Sequence, residues 1–150
     1  VINQIDPEFI RIRTFVVKPG APMWNIAMSD EFDECGDIEK LIELKTMIEH
    51  LEGIKSYLIS DHIINLLPML EGYIHKDKDS MLSYINKFLE LPKYKQREFQ
   101  LARRMCYNVD YTNMSYMNEN DMRVIRNVIK NVENDDEWEE VLRRYLRRYI

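Results

Sequence analysis

The sequence predicts an α/β fold, mostly helical, and three observations predict it. Phe9–Val17 (FIRIRTFVV) is rich in β-branched and aromatic residues, which favour a pleated, half-buried strand. A helical period follows, and then a short β-prone run at Ile54–Ile59. From Asp61 onward, apolar residues recur with helical spacing almost to the end. The expected division is a strand–helix–strand unit over residues 1–60 and a helical region over 61–150.

The first strand ends at Lys18-Pro19-Gly20, where proline removes a donor and glycine permits a turn. Pro22–Phe32 holds room for one short helix with Trp24, Ile26 and Ala27 inward, and Asp33–Gly36 reads as a loop. Asp37 is the expected N-cap of an amphipathic helix marked by Ile38, Leu41, Ile42, Met47, Ile48 and Leu51. Gly53 supplies a left-handed stop with Ile54 packing back. A strand–helix–strand order of this kind is expected to be parallel and right-handed.

The next helical pattern spans Ile63–Tyr73, through Ile63, Ile64, Leu66, Leu67 and Leu70, with Pro68 kinking or dividing it. Asp79 is the expected cap of a helix bearing Met81, Leu82, Ile85, Phe88 and Leu89, which Pro92 ends. Tyr94–Tyr107 continues with Phe99, Leu101, Ala102 and Met105. Asn108–Asn118 is a polar, tyrosine-rich connection. The last helices are Asn120–Val132 and Asp135–Tyr149, the latter with Trp138, Val141, Leu142, Tyr145 and Tyr149 on one stripe. Asn134 and Glu137 imitate a capping box, and Glu139–Arg143 and Glu140–Arg144 are spaced as favourable pairs. Arg147 and Arg148 suit the negative end of that helix.

Composition narrows the function classes. Hydrophobic residues are 45% and charged residues 31% of 150, enough to bury a core in one globular unit. With a net charge of −5 and basic residues dispersed among acids, a nucleic-acid partner is not expected, since that needs a basic face. No apolar run reaches the roughly 18–20 residues of a membrane span, so no membrane partner is expected. No signal-peptide pattern opens the chain, and two unclustered cysteines, Cys35 and Cys106, fit a cytoplasmic setting better than a disulfide. The first residue is Val rather than Met, which suggests an excised piece or an incomplete start.

Five residues are candidates for chemistry. Alternation puts Arg11 and Arg13 on one strand face, where a parallel strand between helices would ordinarily be apolar. They read either as an anion-binding pair or as a salt-bridged edge strand. Asp61-His62, with Asn65, follows the second strand. The carboxylate could orient the imidazole for proton transfer or metal binding, or Asp61 could cap a helix. Cys35, Cys106 and three dispersed histidines do not supply a zinc set. No Walker loop, dinucleotide fingerprint or G-x-S-x-G elbow is present.

DPEFIRIRTFVVKPGAPMW (6–24) and GIKSYLISDHIINLL (53–67) resemble the late barrel segments of radical S-adenosylmethionine (SAM) enzymes of the Fe–S oxidoreductase type. The turn Pro19–Trp24 is similar to the family's P-G-T-P-L-Y, with Ala21 where the family has Thr and Met23-Trp24 in place of Leu-Tyr. Ser60–Leu67 is similar to its S-D-H-x-x-N-L-L run, and IEKLIELKTMIEHLEGI matches the intervening helix in character. The resemblance covers roughly residues 1–105, and 106–150 read as a helical extension.

The resemblance implies the end of a partial (β/α) barrel, one or two strands, followed by a helical C-terminal domain. It makes the arginine-bearing segment the sixth strand, facing SAM and substrate, with Arg11, Arg13, Asp61, His62 and Asn65 as SAM- or substrate-binding candidates. It implies a [4Fe-4S] cluster and SAM for the full-length parent and no cofactor in this fragment, because a C-x₃-C-x₂-C triad is needed and two distant cysteines do not make one. The implied partners are the chain's own N-terminal barrel domain and an unknown substrate. A homodimer through an exposed strand edge is a further expectation. The function so implied is completion of the barrel and capping of its active site. An independent helical protein–protein interaction module is the alternative.

Overall fold

A computed structural model describes the whole chain except residues 30, 106, 116, 149 and 150. The expected Cys35–Cys106 relation and the place of Tyr149 on the last helix therefore lie outside the described residues.

The elements run α1 (Ile2–Ile5), β1 (Phe9–Arg11), α2 (Trp24–Met28), α3 (Asp37–Glu49), β2 (Tyr57–Ile59), β3 (Glu71–Tyr73), α4 (Ile74–Leu89), α5 (Lys93–Arg104), α6 (Glu119–Lys130) and α7 (Asp135–Leu146). The α/β, mostly helical class is as expected. So is the parallel pairing of β1 with β2, in the register Phe9↔Tyr57, Ile10↔Leu58, Arg11↔Ile59. The sheet order is β1-β2-β3, with β3 antiparallel to β2, so the sheet is mixed and β1 is an edge.

Sheet alternation separates two faces. Ile10 and Leu58 face the core, with Leu58 fully buried. Phe9, Tyr57 and Tyr73 form an edge-to-face aromatic row on the other face, with centroids 6.2 and 4.9 Å apart. Such cross-strand aromatic pairs stabilise a sheet too short to stand on its ladder bonds alone.

One core joins the sheet to every long helix. Leu41 and Ile48 of α3, Met81, Ile85 and Phe88 of α4, and Phe99 and Leu101 of α5 pack together with Ile125 of α6 and Trp138 and Leu142 of α7. Among the helices α5 is the most enclosed, buried continuously from Glu98 to Arg104. Gln96 closes the turn into it by donating from Nε2 to the carbonyls of Phe88, Leu89 and Leu91 at and just beyond the end of α4. Asn134 caps α7 as expected, accepting from Glu137 N–H at 2.9 Å. The Glu137 carboxylate accepts from Glu133 N–H, not from the cap residue. Gly53 adopts φ +68°, and Ile54 behind it is buried.

Four expectations are corrected. Ile63–Tyr73 is not a helix: it runs through turns to Leu70 and then supplies β3. Ile64, Leu66, Leu67 and Leu70 are buried all the same, which is why their spacing imitates a helix, while Ile63 is exposed. The ladder of Phe9–Val17 stops at Arg11, with the chain continuing extended. α4 begins at Ile74, directly from β3, rather than at Asp79. Asp37 is the first residue of α3 rather than its cap. Gly36 is the cap, and its N–H donates to Glu39 Oε2 at 2.8 Å.

Candidate functional site

A cleft of about 550 Å³ opens beyond the carboxyl ends of β1 and β2. One wall is the extended segment after β1, Ile12–Phe15, and another is the turn segment after β2, from Ser60 to Leu67. The first turns of α3 and the loop 32–35 complete it. Its walls are largely apolar, with Leu41, Leu44, Met47, Leu66 and Leu67 inside. Clefts of this size and lining are typical of small-molecule sites, and strand carboxyl ends are where α/β folds gather ligands.

Asn65 shapes the first wall. Ile12 N–H still bonds Ile59 O at 2.9 Å, and then the backbone of β2 turns away. The Asn65 carboxamide takes over. Its Nδ2 donates to Ile12 O at 2.9 Å, and its Oδ1 accepts from Thr14 N–H at 2.9 Å. A side-chain amide here stands in for the next peptide of a neighbouring strand. Nδ2 also donates to Ser60 Oγ, and Oδ1 also accepts from Thr14 Oγ1, so both amide hydrogens and both lone pairs are used.

The segment carrying Asn65 is held by two buried arginines at the end of α5. Arg103 donates from Nη2 to the carbonyls of Ile63 and Asn65, at 2.9 and 3.1 Å, and from Nη1 to Tyr107 O. Arg104 donates from Nη1 to Ile64 O, and from Nε and Nη2 to the Asp37 carboxylate as a bidentate pair. Arg104 is 1% and Asp37 4% exposed, so the pair is removed from water. Three consecutive carbonyls with no helix or ladder of their own are thereby satisfied, as buried backbone groups must be.

At the foot of α3 this cluster meets α7. The Glu139 carboxylate lies 2.6 Å from where a Cβ on Gly36 would be, so any larger residue there would push that carboxylate aside. Glu139 accepts the Asp37 backbone N–H, and its pKa is pushed up chiefly by burial and then by the neighbouring Asp37 carboxylate, with Arg143 opposing. Arg143 itself donates to Glu34 O at 2.8 Å. The expected Glu139–Arg143 and Glu140–Arg144 ion pairs are not formed among the described residues.

Of the five sequence candidates, Arg13 and Asn65 border the cleft. Arg13 is exposed and has no bonded partner among the described residues. Arg11 is engaged: Nε and Nη2 reach the two Asp61 carboxylate oxygens at 2.9 Å each. This ion pair is about half exposed, and such pairs are worth about 0–1 kcal/mol. With Asp61 occupied by Arg11, no Asp61–His62 bond forms among the described residues. No helix follows for Asp61 to cap. The His62 Nδ1 is buried without a partner, and its carbonyl accepts from Asn65 N–H in the turn. Sequence reading missed Asp37, Arg103 and Arg104 as a unit. The available signal was two arginines between Leu101-Ala102 and Met105 in a helix with little room for a polar face.

The described residues bring no set of thiolates together for an iron–sulfur cluster. Cys35 borders the cleft with its Sγ 4.0 Å from Glu43 Oε1. Among the described residues no three His, Cys, Asp or Glu side chains converge as metal ligands. No described helix is long and apolar enough to cross a membrane. Comparison with protein-family models, curated proteins and solved structures gives no significant match to the chain.

Two predictions test this geometry. Asn65→Asp leaves Ile12 O without its donor and buries a charge, so it should cost about 3 kcal/mol in urea unfolding. Asn65→Leu, which also removes the acceptor of the Thr14 N–H, should speed exchange of the Thr14 amide more than that of Leu58. An unchanged Thr14 exchange rate would contradict the surrogate-strand role.

The second concerns pH. Because the folded-state pKa of Glu139 is raised above its ordinary value of 4.5, the folded chain keeps a proton that the unfolded chain releases between the two values. This contribution to stability is full below 4.5 and is lost as pH rises through the raised value. Glu139→Gln should therefore gain stability relative to the parent as pH rises through that window. A difference that stays constant with pH would contradict the raised pKa.

Proposed function

We propose that the chain is the closing part of a radical SAM-type barrel, with β1 as its last inward-facing strand and α3–α7 covering the site. The observation that carries this reading is the cleft. It opens at the carboxyl ends of a parallel strand pair whose β1 edge is unpaired among the described residues. Phe9 and Phe15, at 62% and 54% exposure, flank that edge, which gives an upstream strand both hydrogen-bonding groups and apolar contact. The resemblance of residues 6–24 and 53–67 to the family's late barrel segments supports the same assignment. A free-standing helical interaction module, the alternative, has less support because it needs neither the parallel pair nor the cleft.

Within this reading the cluster ligands belong to another part of the enzyme, and no redox step is assigned to residues of this chain. The cleft is large enough for a SAM-sized or substrate-sized ligand, with Arg13 as the unengaged cation at its rim and the apolar residues of α3 beside it. Asn65 and Thr14 shape the wall without offering free donors. The partners are the enzyme's own barrel strands and a substrate, in a cytoplasmic setting.

The test belongs to the full-length gene product. It should encode a C-x₃-C-x₂-C triad in the same reading frame. In that enzyme Arg13→Ala should weaken SAM or substrate binding about tenfold or more, as loss of a charge-assisted bond does, with little change in unfolding midpoint. Arg11→Ala should do less, since Asp61 already holds that guanidinium. A reading frame without the triad would overturn the proposal.

In isolation the free β1 edge is available to a second copy. Light scattering should then show concentration-dependent dimers, with Arg13 and Phe9 amides gaining protection from exchange. A monomer at millimolar concentration with those amides already protected would contradict an open edge.

A further inference from the structure

A second cavity, of about 440 Å³, lies on the other side of Phe32, Asp33 and Glu34 from the cleft. Its apolar walls are Val17, Met28 and Phe32, and its polar wall is a pair of arginines one turn apart on and just beyond α7, Arg143 and Arg147. Arg143 spends one Nη2 bond on Glu34 O and faces Asp33 at 3.9 Å, but that carboxylate is fully in solvent and screened. Glu34 is turned away, accepting from Lys40 at 3.2 Å. Arg147 has no ion pair among the described residues. Its guanidinium lies over the Trp24 ring, 5.2 Å from the centroid, a stacking that orients the fork while leaving its N–H groups unfilled. Both arginines carry a buried Nε–H with no acceptor.

We propose that this cavity binds a small phosphomonoester, its phosphoryl group held between Arg143 and Arg147 and its organic part against Met28 and Phe32. Two forks demand more acceptors than one carboxylate brings, whereas a phosphoryl group offers three oxygens in the geometry arginine matches. The cavity exceeds what a bare phosphate fills, and its apolar wall favours an organic substituent. The proposal uses neither the barrel nor the cleft, so it stands or falls separately from the radical SAM reading.

The experiment follows the arginine Nε–Hε resonances of the intact chain at constant ionic strength during titration with phenyl phosphate, inorganic phosphate or benzoate. Phenyl phosphate should shift the Arg143 and Arg147 signals saturably, with inorganic phosphate and benzoate each weaker by about fivefold or more. Arg147→Gln should weaken phenyl phosphate about tenfold or more, and Arg147→Lys, which keeps the charge without the fork, should show the same loss if Gln disturbs the helix end. Arg148→Gln, at a guanidinium stacked on Tyr145, should leave binding intact. Shifts that track ionic strength alone, equal binding of benzoate, or binding indifferent to both Arg147 variants would overturn the proposal.

Discussion

The Arg104 guanidinium, 1% exposed, grips the Asp37 carboxylate on one side and the Ile64 carbonyl on the other. Three separate parts of the chain converge on this one cation: the end of α5, the start of α3 and the turns after β2. Removing the charges from water costs several kcal/mol for each ion, and only a bidentate partner with further hydrogen bonds repays that. The arrangement therefore tolerates one geometry. Arg103 extends it by taking the carbonyls on either side of Ile64, so a segment without helix or ladder bonds is fixed as firmly as a strand.

The cleft follows from that fixation. With residues 63–65 held, the Asn65 carboxamide projects into the position of a missing peptide and keeps the chain after β1 extended as far as Thr14. Asp37, held from the same cation, sets the start of α3 as the opposite wall. The width between the walls is thus set from beneath by one side chain, while Arg13 stays free at the rim. Burial of Glu139 against Gly36 brings α7 into the same cluster, so the C-terminal helix contributes to the base of a cleft whose walls come from residues 12–67.

Much of the fold was legible because its signals are local. The apolar stripes of α3, α5, α6 and α7, the Asn134 cap and the left-handed Gly53 each depend on residues within a few positions. Residues 63–73 were misread because their partners are remote. Ile63, Ile64, Leu66, Leu67 and Leu70 are spaced as a helix would space them, but Arg103 and Arg104, some forty residues on in sequence, offer the backbone a different set of donors. The site was legible in part for the same reason. Strand alternation singled out Arg11 and Arg13, yet only an ion pair across fifty positions, Arg11–Asp61, distinguishes the engaged arginine from the free one. Asn65 was noticed by its place in a motif, while its service as a strand substitute could be known only once Thr14 lay opposite it.

The cleft depends on the Arg104–Asp37 pair acting as one unit, and a double-mutant cycle in urea measures that directly. Arg104→Met and Asp37→Leu should each cost about 3–5 kcal/mol, because each strands a buried charge. The double variant should cost far less than their sum, giving a coupling energy of about 3 kcal/mol, with the remaining loss reflecting Ile64 O left without its donor. Additive losses, with coupling below about 0.5 kcal/mol, would show that the two residues stabilise the fold independently and that the cleft has no common anchor.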